Sequence, residues 1–249
     1  MKQNIYDNET FFNQYESMRN DVTIPSANDL IEIPNIRKML PELRGKRILE
    51  LGCGSGENIK YYLNNGATYV YATDISRNMI ALAKEKNNYE NVKIEIMAME
   101  DISNIQEKFD VVISSLAVHY VEDYDKLCHD IYHLLNEEGY FIYSQEHPIG
   151  TGTILMPSCH CEDKLFIDDK YYKIVSDYNR NGKRIVDWND CDVVKYHRNF
   201  SFIINTLLKN NFKIVEFLEP IPTEEIIELK PSTIYQYDVP YFLFVKVKR

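Results

Sequence analysis

The stretch richest in chemistry is Glu50-Leu-Gly52-Cys-Gly54-Ser-Gly56-Glu57, which follows one apolar run; the next apolar run ends at Asp74-Ile75-Ser76. Glycines at a strand-to-helix turn let the backbone approach a ligand closely. An acid ending the neighbouring strand accepts hydrogen bonds from ribose hydroxyls. Gly52, Gly54, Gly56, the flanking Glu50 and Asp74 therefore predict an adenosine-type ligand at the carboxyl edge of a sheet. Spacing narrows the choice. A dinucleotide fingerprint reads Gly-x-Gly-x-x-Gly, whereas here the third glycine arrives one residue early at Gly56, and Glu57 takes the last fingerprint position. A carboxylate at a helix N-terminus repels a pyrophosphate, so a ligand without phosphates fits better, and a nicotinamide oxidoreductase is disfavoured.

Three histidines are candidate general bases: His119 ends the fourth apolar run, His147 follows the fifth, and His197 precedes the last amphipathic segment. Each has the competing reading of a satisfied structural side chain. Cys159-His160-Cys161 carries metal-binding residue types, but tetrahedral zinc needs four ligands and the other cysteines and histidines are distant, so no metal is expected.

With these motifs the sequence resembles the class I S-adenosylmethionine-dependent methyltransferases, in the small-molecule group similar to the ubiquinone-type enzymes. The resemblance covers residues 44–144 and extends to the order of strands. It rests on Leu49-Glu-Leu-Gly-Cys-Gly-Ser-Gly56, Ala72-Thr-Asp74-Ile-Ser, Met97-Ala-Met-Glu-Asp101 and Phe109-Asp-Val-Val-Ile-Ser-Ser-Leu-Ala-Val-His-Tyr120. The pieces Ser144-Gln-Glu-His-Pro148 and Lys195-Tyr-His-Arg198 also resemble a bacterial subgroup. Membership would imply a Rossmann-like α/β fold: a seven-stranded, mostly parallel sheet with an antiparallel last strand and helices on both faces. It would also imply S-adenosyl-L-methionine as cofactor. Under that resemblance the glycine loop meets the methionine moiety, Asp74 the ribose, and Ile75 and Met99 the adenine faces. The adenine amino group falls to Glu100 or Asp101, because Met97-Ala98-Met99 replaces the Gly-Asp-Ala of many relatives. A carbonyl near Ser115 or Leu116 receives the ammonium, and Tyr15 and Arg19 are candidates for the carboxylate, with ordinary helix packing as the alternative for both.

The elements that must position these residues are visible as periodicity. Arg47–Leu51, Tyr69–Thr73, Val92–Ile96, Asp110–Ser114 and Tyr140–Tyr143 read as strands, alternating with segments of helical spacing, the pattern of β-α units. One helix begins after Gly56 and ends near Gly66, one is N-capped by Ser76, and a third puts Leu127, Ile131, Leu134 and Leu135 on one face. Phe200, Ile203, Ile204, Leu207 and Leu208 mark a fourth, followed by strands at 213–218 and 241–248. Residues 1–44 read as a helical cap, 45–145 as a cofactor-binding core, 146–198 as a substrate-side insertion and 199–249 as the helix and strands completing a single domain, 1–249. Tyr171, Tyr172, Tyr178 and Trp188 make the insertion aromatic; the tyrosines predict either a wall for a cation or plain packing.

Composition limits the partners. The 249 residues hold 28 Lys+Arg against 38 Asp+Glu, a net charge of −10, with no basic run. That balance disfavours nucleic acid and anionic membranes. A nucleic-acid base methyltransferase is also disfavoured because Ser114-Ser-Leu-Ala stands where such enzymes carry an Asn-Pro-Pro-Tyr-like motif. No stretch approaches the roughly 18 apolar residues of a membrane span. Five cysteines, an odd number, suggest free thiols and a cytoplasmic location. The resulting expectation is methyl transfer to an N, O or C atom of a small molecule, with a non-catalytic binding protein as the alternative. Neither the acceptor nor the oligomeric state is legible.

Overall fold

The computed structural model describes residues 4–20, 25–153, 164–188 and 191–249, apart from the side chains of residues 18–20 and 164. In chain order its elements are α1 (Glu9–Asn20), α2 (Ile33–Met39), β1 (Arg47–Leu51), α3 (Ile59–Asn64), β2 (Tyr69–Asp74), α4 (Arg77–Lys86), β3 (Val92–Ile96), β4 (Phe109–Ser114), α5 (Tyr124–Leu134) and β5 (Leu135–Glu146). There follow α6 (Pro148–Thr151), β6 (Lys164–Ile167), β7 (Lys170–Lys173), β8 (Gly182–Trp188), β9 (Cys191–His197), α7 (Phe200–Lys209), β10 (Lys213–Leu218), α8 (Glu224–Leu229) and β11 (Phe242–Lys248).

Seven strands form one sheet in the order β10-β11-β5-β4-β1-β2-β3. β1 to β5 pair in parallel, and β11 runs antiparallel to both β5 and β10. This is the mostly parallel sheet with a reversed last strand that the resemblance implied. The strands read as continuous apolar runs because both faces are covered, and successive side chains go to opposite faces. Leu49, Leu51, Val112, Phe141 and Val245 join one core with Leu127 and Ile131 of α5 and Ile203 and Leu207 of α7. Ile48, Val70, Val111, Ile142 and Phe244 join the other with Ile36 of α2, Ile59 of α3 and Ile80 of α4.

Caps set where the helices begin. The Ser76 hydroxyl accepts from Met79 N at 3.2 Å at the start of α4, and Asn199 accepts from Phe202 N at 2.8 Å at the start of α7. Leu135, expected on the third helix, instead opens β5, where it pairs with Phe109, so the fifth strand is longer than the Tyr140–Tyr143 run suggested.

The insertion folds as two antiparallel hairpins, β6-β7 and β8-β9, which periodicity did not reveal. Asp168 and Asp169, at φ 50° and 60°, make the two-residue turn of the first. β9 alternates, with Val193, Lys195 and His197 buried on one side. Among the described residues no helix is long and apolar enough to cross a membrane.

Candidate functional site

The glycine loop leaves β1 at Leu51 and turns through Gly52, Gly54 and Gly56, all at positive φ (69°, 52° and 74°). Two amides, Gly52 N and Cys53 N, donate to Thr73 O at 2.8 and 2.9 Å and tie the loop to the end of β2. Each glycine has a different reason. A Cβ on Gly52 would lie 2.6 Å from Ala117 Cβ and 2.9 Å from Met99 Cε, so its absence lets two other loops close in. One on Gly54 would meet nothing within 4 Å, since it borders open space, and one on Gly56 would strike Asn87 Nδ2 at 2.7 Å.

Asp74 receives Gly54 N on Oδ2 and Ser76 N on Oδ1, both at 2.9 Å. Burial raises its pKa, against the pull of those amides. Glu50, 2% exposed at the root of the loop, accepts from the Tyr62 hydroxyl at 3.0 Å and Asn58 Nδ2 at 3.5 Å through Oε1. Its Oε2 has no hydrogen-bond partner among the described residues. Burial lifts this carboxyl to about 7 despite the Tyr62 and Asn58 hydrogen bonds, and the Glu32 charge adds to the rise. Glu32 itself accepts from Ser115 Oγ at 2.8 Å and from Ser144 Oγ. Leu116, at φ 48°, donates its N–H to Ser144 Oγ at 3.0 Å. A non-glycine residue held in this conformation marks strain beside the cavity.

The N-terminal segment docks directly on this loop system. Asp7 Oδ1 accepts from Ser76 Oγ at 2.7 Å and Asn78 N at 3.2 Å, and Asn4 Nδ2 donates to Ile75 O at 3.2 Å. The Tyr6 ring is thereby set edge-on to Phe11 and Tyr15, with centroids at 5.3 and 5.1 Å. Trp188, from β8, packs edge-on to the same Phe11 and Tyr15 at 5.2 and 6.3 Å. Cap and insertion thus meet through aromatic edges.

Beneath them lies a cavity of about 590 Å³, within the usual range of small-molecule sites, about 300–1,000 Å³. Of the residues singled out by sequence it is lined by Tyr15, Glu50, Gly52, Gly54, Asp74, Ile75, Met99, Glu100, Ser115, Leu116 and His119. Gly56, Asp101, His147 and His197 are not among its lining residues. Arg19 lies on α1, but its side chain falls outside the described residues, as do Cys159, His160 and Cys161.

The three histidines differ sharply. His147 Nδ1 accepts from Ile149 N at 3.1 Å, capping α6, and its Nε2 meets Glu219 Oε1 at 2.8 Å. His197 Nε2 donates to Tyr178 O at 2.8 Å while Nδ1 meets the Thr151 hydroxyl at 2.7 Å. Both rings are fully engaged in holding the insertion. His119, 3% exposed, has neither ring nitrogen hydrogen-bonded within the described residues. Burial pulls it down to about 4; Glu146 opposes that shift, and Lys195 and Arg198 add to it.

Of the two readings of the insertion's tyrosines, a wall for a cation or plain packing, the contacts fit packing. Tyr171 packs on Phe166 at 4.7 Å, and Tyr178 sits on His197 at 5.8 Å with its hydroxyl accepting from Phe200 N at 3.2 Å. Neither they nor Tyr172 line the cavity, whereas Trp188 does. Lining residues missed by sequence include Tyr6, Tyr120, Glu146, Lys195, Lys230 and Tyr241. Glu146 ends β5, so the strand-end rule that singled out Asp74 could have found it. Lys195 needed β9 to be recognised as a strand. The Lys195 ammonium donates to Glu146 Oε1 at 2.5 Å. Burial pushes Glu146 up, but the charges of His119 and Lys195 hold it below the usual carboxylate range.

Comparison with known proteins agrees with this geometry. A family model described as a methyltransferase domain matches residues 49–143. The solved structure of an S-adenosylmethionine-dependent methyltransferase from Mesorhizobium loti superposes with a TM-score of 0.79 and 32% identity, covering 88% of this chain and 97% of that one. A second solved chain, from Listeria monocytogenes, gives a TM-score of 0.74 at 33% identity, again over 88% of this chain and 97% of its own length. An uncharacterized protein of Haemophilus influenzae is 33% identical over 90% of this chain and 89% of its own.

Proposed function

Because the chain belongs to the class I S-adenosylmethionine-dependent methyltransferases, we propose that its cavity takes the cofactor at the glycine-loop end and a small acceptor beneath the cap and insertion. The observation that carries this reading is the single cavity lined both by Gly52, Gly54 and Asp74 and by residues of the cap and insertion, Tyr6, Tyr15, Trp188 and Lys195. The residues fit the cofactor on structural grounds: Gly54 faces space that a side chain would fill, and Glu50 Oε2 is buried with no hydrogen-bond partner among the described residues, ready for a cation.

The cofactor supplies an electrophilic methyl carbon on a sulfonium. Glu50 and the backbone near Ser115 and Leu116 receive its amino-acid end, with Tyr15 and Arg19 serving the carboxylate. Asp74 holds the ribose through the oxygens that now bind Gly54 N and Ser76 N. Ile75 and Met99 cover adenine, and Glu100 serves its amino edge. The work of these groups is positioning and exclusion of water, which in-line displacement chiefly requires. Of the three histidines, His119 contacts the acceptor. It does so as a neutral ring, since at pH 7 its protonated form would stand about 4 kcal/mol above the neutral one.

The cavity volume of about 590 Å³ and the net charge of −10 support a small molecule over nucleic acid. The free thiols of Cys53, Cys128 and Cys191 support a cytoplasmic setting. The domain reading follows the same division, with cap 1–44, core 45–145, insertion 146–198 and closing strands 199–249. The test is calorimetric titration with S-adenosylmethionine, S-adenosylhomocysteine and NAD, beside Asp74→Ala. Micromolar binding of the sulfur ligands, no NAD heat and a loss of about 1.5–3 kcal/mol in the variant are expected. Saturable NAD binding alone would return the chain to the oxidoreductases.

A further inference from the structure

On that reading of the cavity, we infer that the methylated group is the carboxylate of a small organic acid, so that the protein is a carboxyl O-methyltransferase. The first line of argument concerns protons. Methylating an alcohol, phenol or ammonium requires a group that removes a proton, and among the described residues lining the cavity none is poised to do so: Glu32 is buried and accepts from the Ser115 and Ser144 hydroxyls, and Glu57 and Asp187 are exposed. The groups that face His119 are Glu146, Lys195 and Arg198, with the Tyr120 ring at 4.3 Å. Glu146, the one carboxylate among them, makes no hydrogen bond to the ring and instead holds the Lys195 ammonium at 2.5 Å. An imidazolium would therefore be desolvated beside a lysine and an arginine with nothing oriented to receive it. Tyr6, Tyr120 and Tyr241 are all raised by burial and are poor phenolate bases. Glu50 lies at the glycine-loop end, hydrogen-bonded to Tyr62.

The second line concerns charge. Of the acids lining the cavity, Glu50, Glu57, Asp74 and Glu100 come from the β1-β2-β3 side of the sheet and Glu32 is tied to Ser115 and Ser144 at β4 and β5, whereas the two cavity lysines, Lys195 and Lys230, come from segments beyond β5. Lys195 is matched by Glu146, which also feels Lys173. Asp187, on β8, is exposed. The Lys230 ammonium has no ion pair or hydrogen bond among the described residues. A carboxylate answers both observations. It is already nucleophilic at neutral pH, it matches Lys230, and it accepts the N–H of a neutral imidazole at His119. In the step, a carboxylate oxygen lone pair forms the O–CH₃ bond while the CH₃–S bond breaks and its electrons pass to sulfur. Methyl ester and S-adenosylhomocysteine result, and no proton is released.

The experiment incubates the full chain with methyl-labelled S-adenosylmethionine. Acceptors are a bacterial small-molecule extract and a panel of benzoate, indole-3-acetate, octanoate and succinate with their primary amides, alcohols and amines. Methyl esters release label as volatile methanol in mild alkali; ethers and N-methyl groups do not. Expected are alkali-labile product from acids alone and a turnover at saturating cofactor that stays flat from pH 6.5 to 8.5. Lys230→Gln should raise KM for the acid about tenfold with S-adenosylhomocysteine affinity unchanged, and His119→Asn should lower kcat. Alkali-stable product, turnover rising steeply with pH, or no label in any acid while S-adenosylhomocysteine still binds, each overturns the carboxylate inference and leaves the cofactor reading intact. Failure of both S-adenosylmethionine and S-adenosylhomocysteine to bind removes the underlying reading as well.

Discussion

Replacing Glu50 by glutamine should stabilise the ligand-free protein at alkaline pH and leave it nearly unchanged in acid. Glu50 is 2% exposed and its carboxyl rises from 4.5 to about 7, chiefly by burial. A carboxyl whose folded pKa is raised binds its proton more tightly in the native than in the unfolded chain. Stability therefore falls as pH climbs from about 4.5 to about 7 and levels off above. Over that window the single group costs about 3 kcal/mol at about 1.36 kcal/mol per pH unit. Glutamine keeps an acceptor for the Tyr62 hydroxyl and cannot ionise. In urea unfolding, Glu50→Gln should thus gain about 2–3 kcal/mol at pH 8, a midpoint shift of roughly 1 M, and a few tenths at pH 4.5, with slope unchanged. The same variant should bind S-adenosylhomocysteine at least tenfold more weakly, because the cation at that end loses its counter-charge. A gain that is equal at both pH values would refute the reasoning, since it would mean that Glu50 is not the group being discharged.

The two glycines should separate fold from binding. Gly52→Ala places a methyl group 2.6 Å from Ala117 Cβ at φ 69° and should cost about 2–4 kcal/mol by thermal or urea unfolding. Gly54→Val enters open space, so it should cost only about 1–2 kcal/mol for its φ of 52° yet abolish calorimetric binding of S-adenosylhomocysteine. Asp7→Ala removes the acceptor for Ser76 Oγ and Asn78 N and should cost at most about 1 kcal/mol, or about 2–4 °C in Tm, at pH 7. Despite partial burial, the Ser76 and Asn78 hydrogen bonds hold the Asp7 carboxyl below its ordinary value of 3.8, so this contribution is present above about pH 4 and should vanish as pH falls through the lowered value. A Tm difference persisting at pH 2.5 would contradict that assignment.

How much was legible in the sequence depended on how local the cause was. The glycine loop, the strand ending at Asp74 and the Ser76 cap are each set by a short local run of residues, and the structure finds the loop, the strand end and the cap where spacing indicated. The histidines were legible only as residue types. His147 and His197 are occupied by Glu219, 72 positions on, and Thr151, 46 positions back, and no periodicity records such partners. The first hairpin of the insertion carries no alternation, since Leu165, Phe166 and Ile167 are consecutive and exposed, and in the second the buried side of β9 holds Lys195 and His197 beside Val193, so its alternation is not an apolar one.

By itself, the sequence determined the alternation of strands and helices, the turn at the glycines and the acid beside it. These follow from side-chain size, backbone freedom and the burial of one residue in two or four, which every short window carries. Resemblance to relatives added the reversed last strand. Only the tertiary structure decided how the polar groups are partnered among the described residues: that His119 and Glu50 Oε2 are buried without a hydrogen bond and both residues line one cavity, that Lys195 is matched by Glu146 and Lys230 is not, and that Tyr6 and Trp188 line the same cavity. A polar side chain's role is fixed by what desolvates it and what bonds it, and those neighbours arrive from β1, β5, β9 and both ends of the chain only once the sheet has closed.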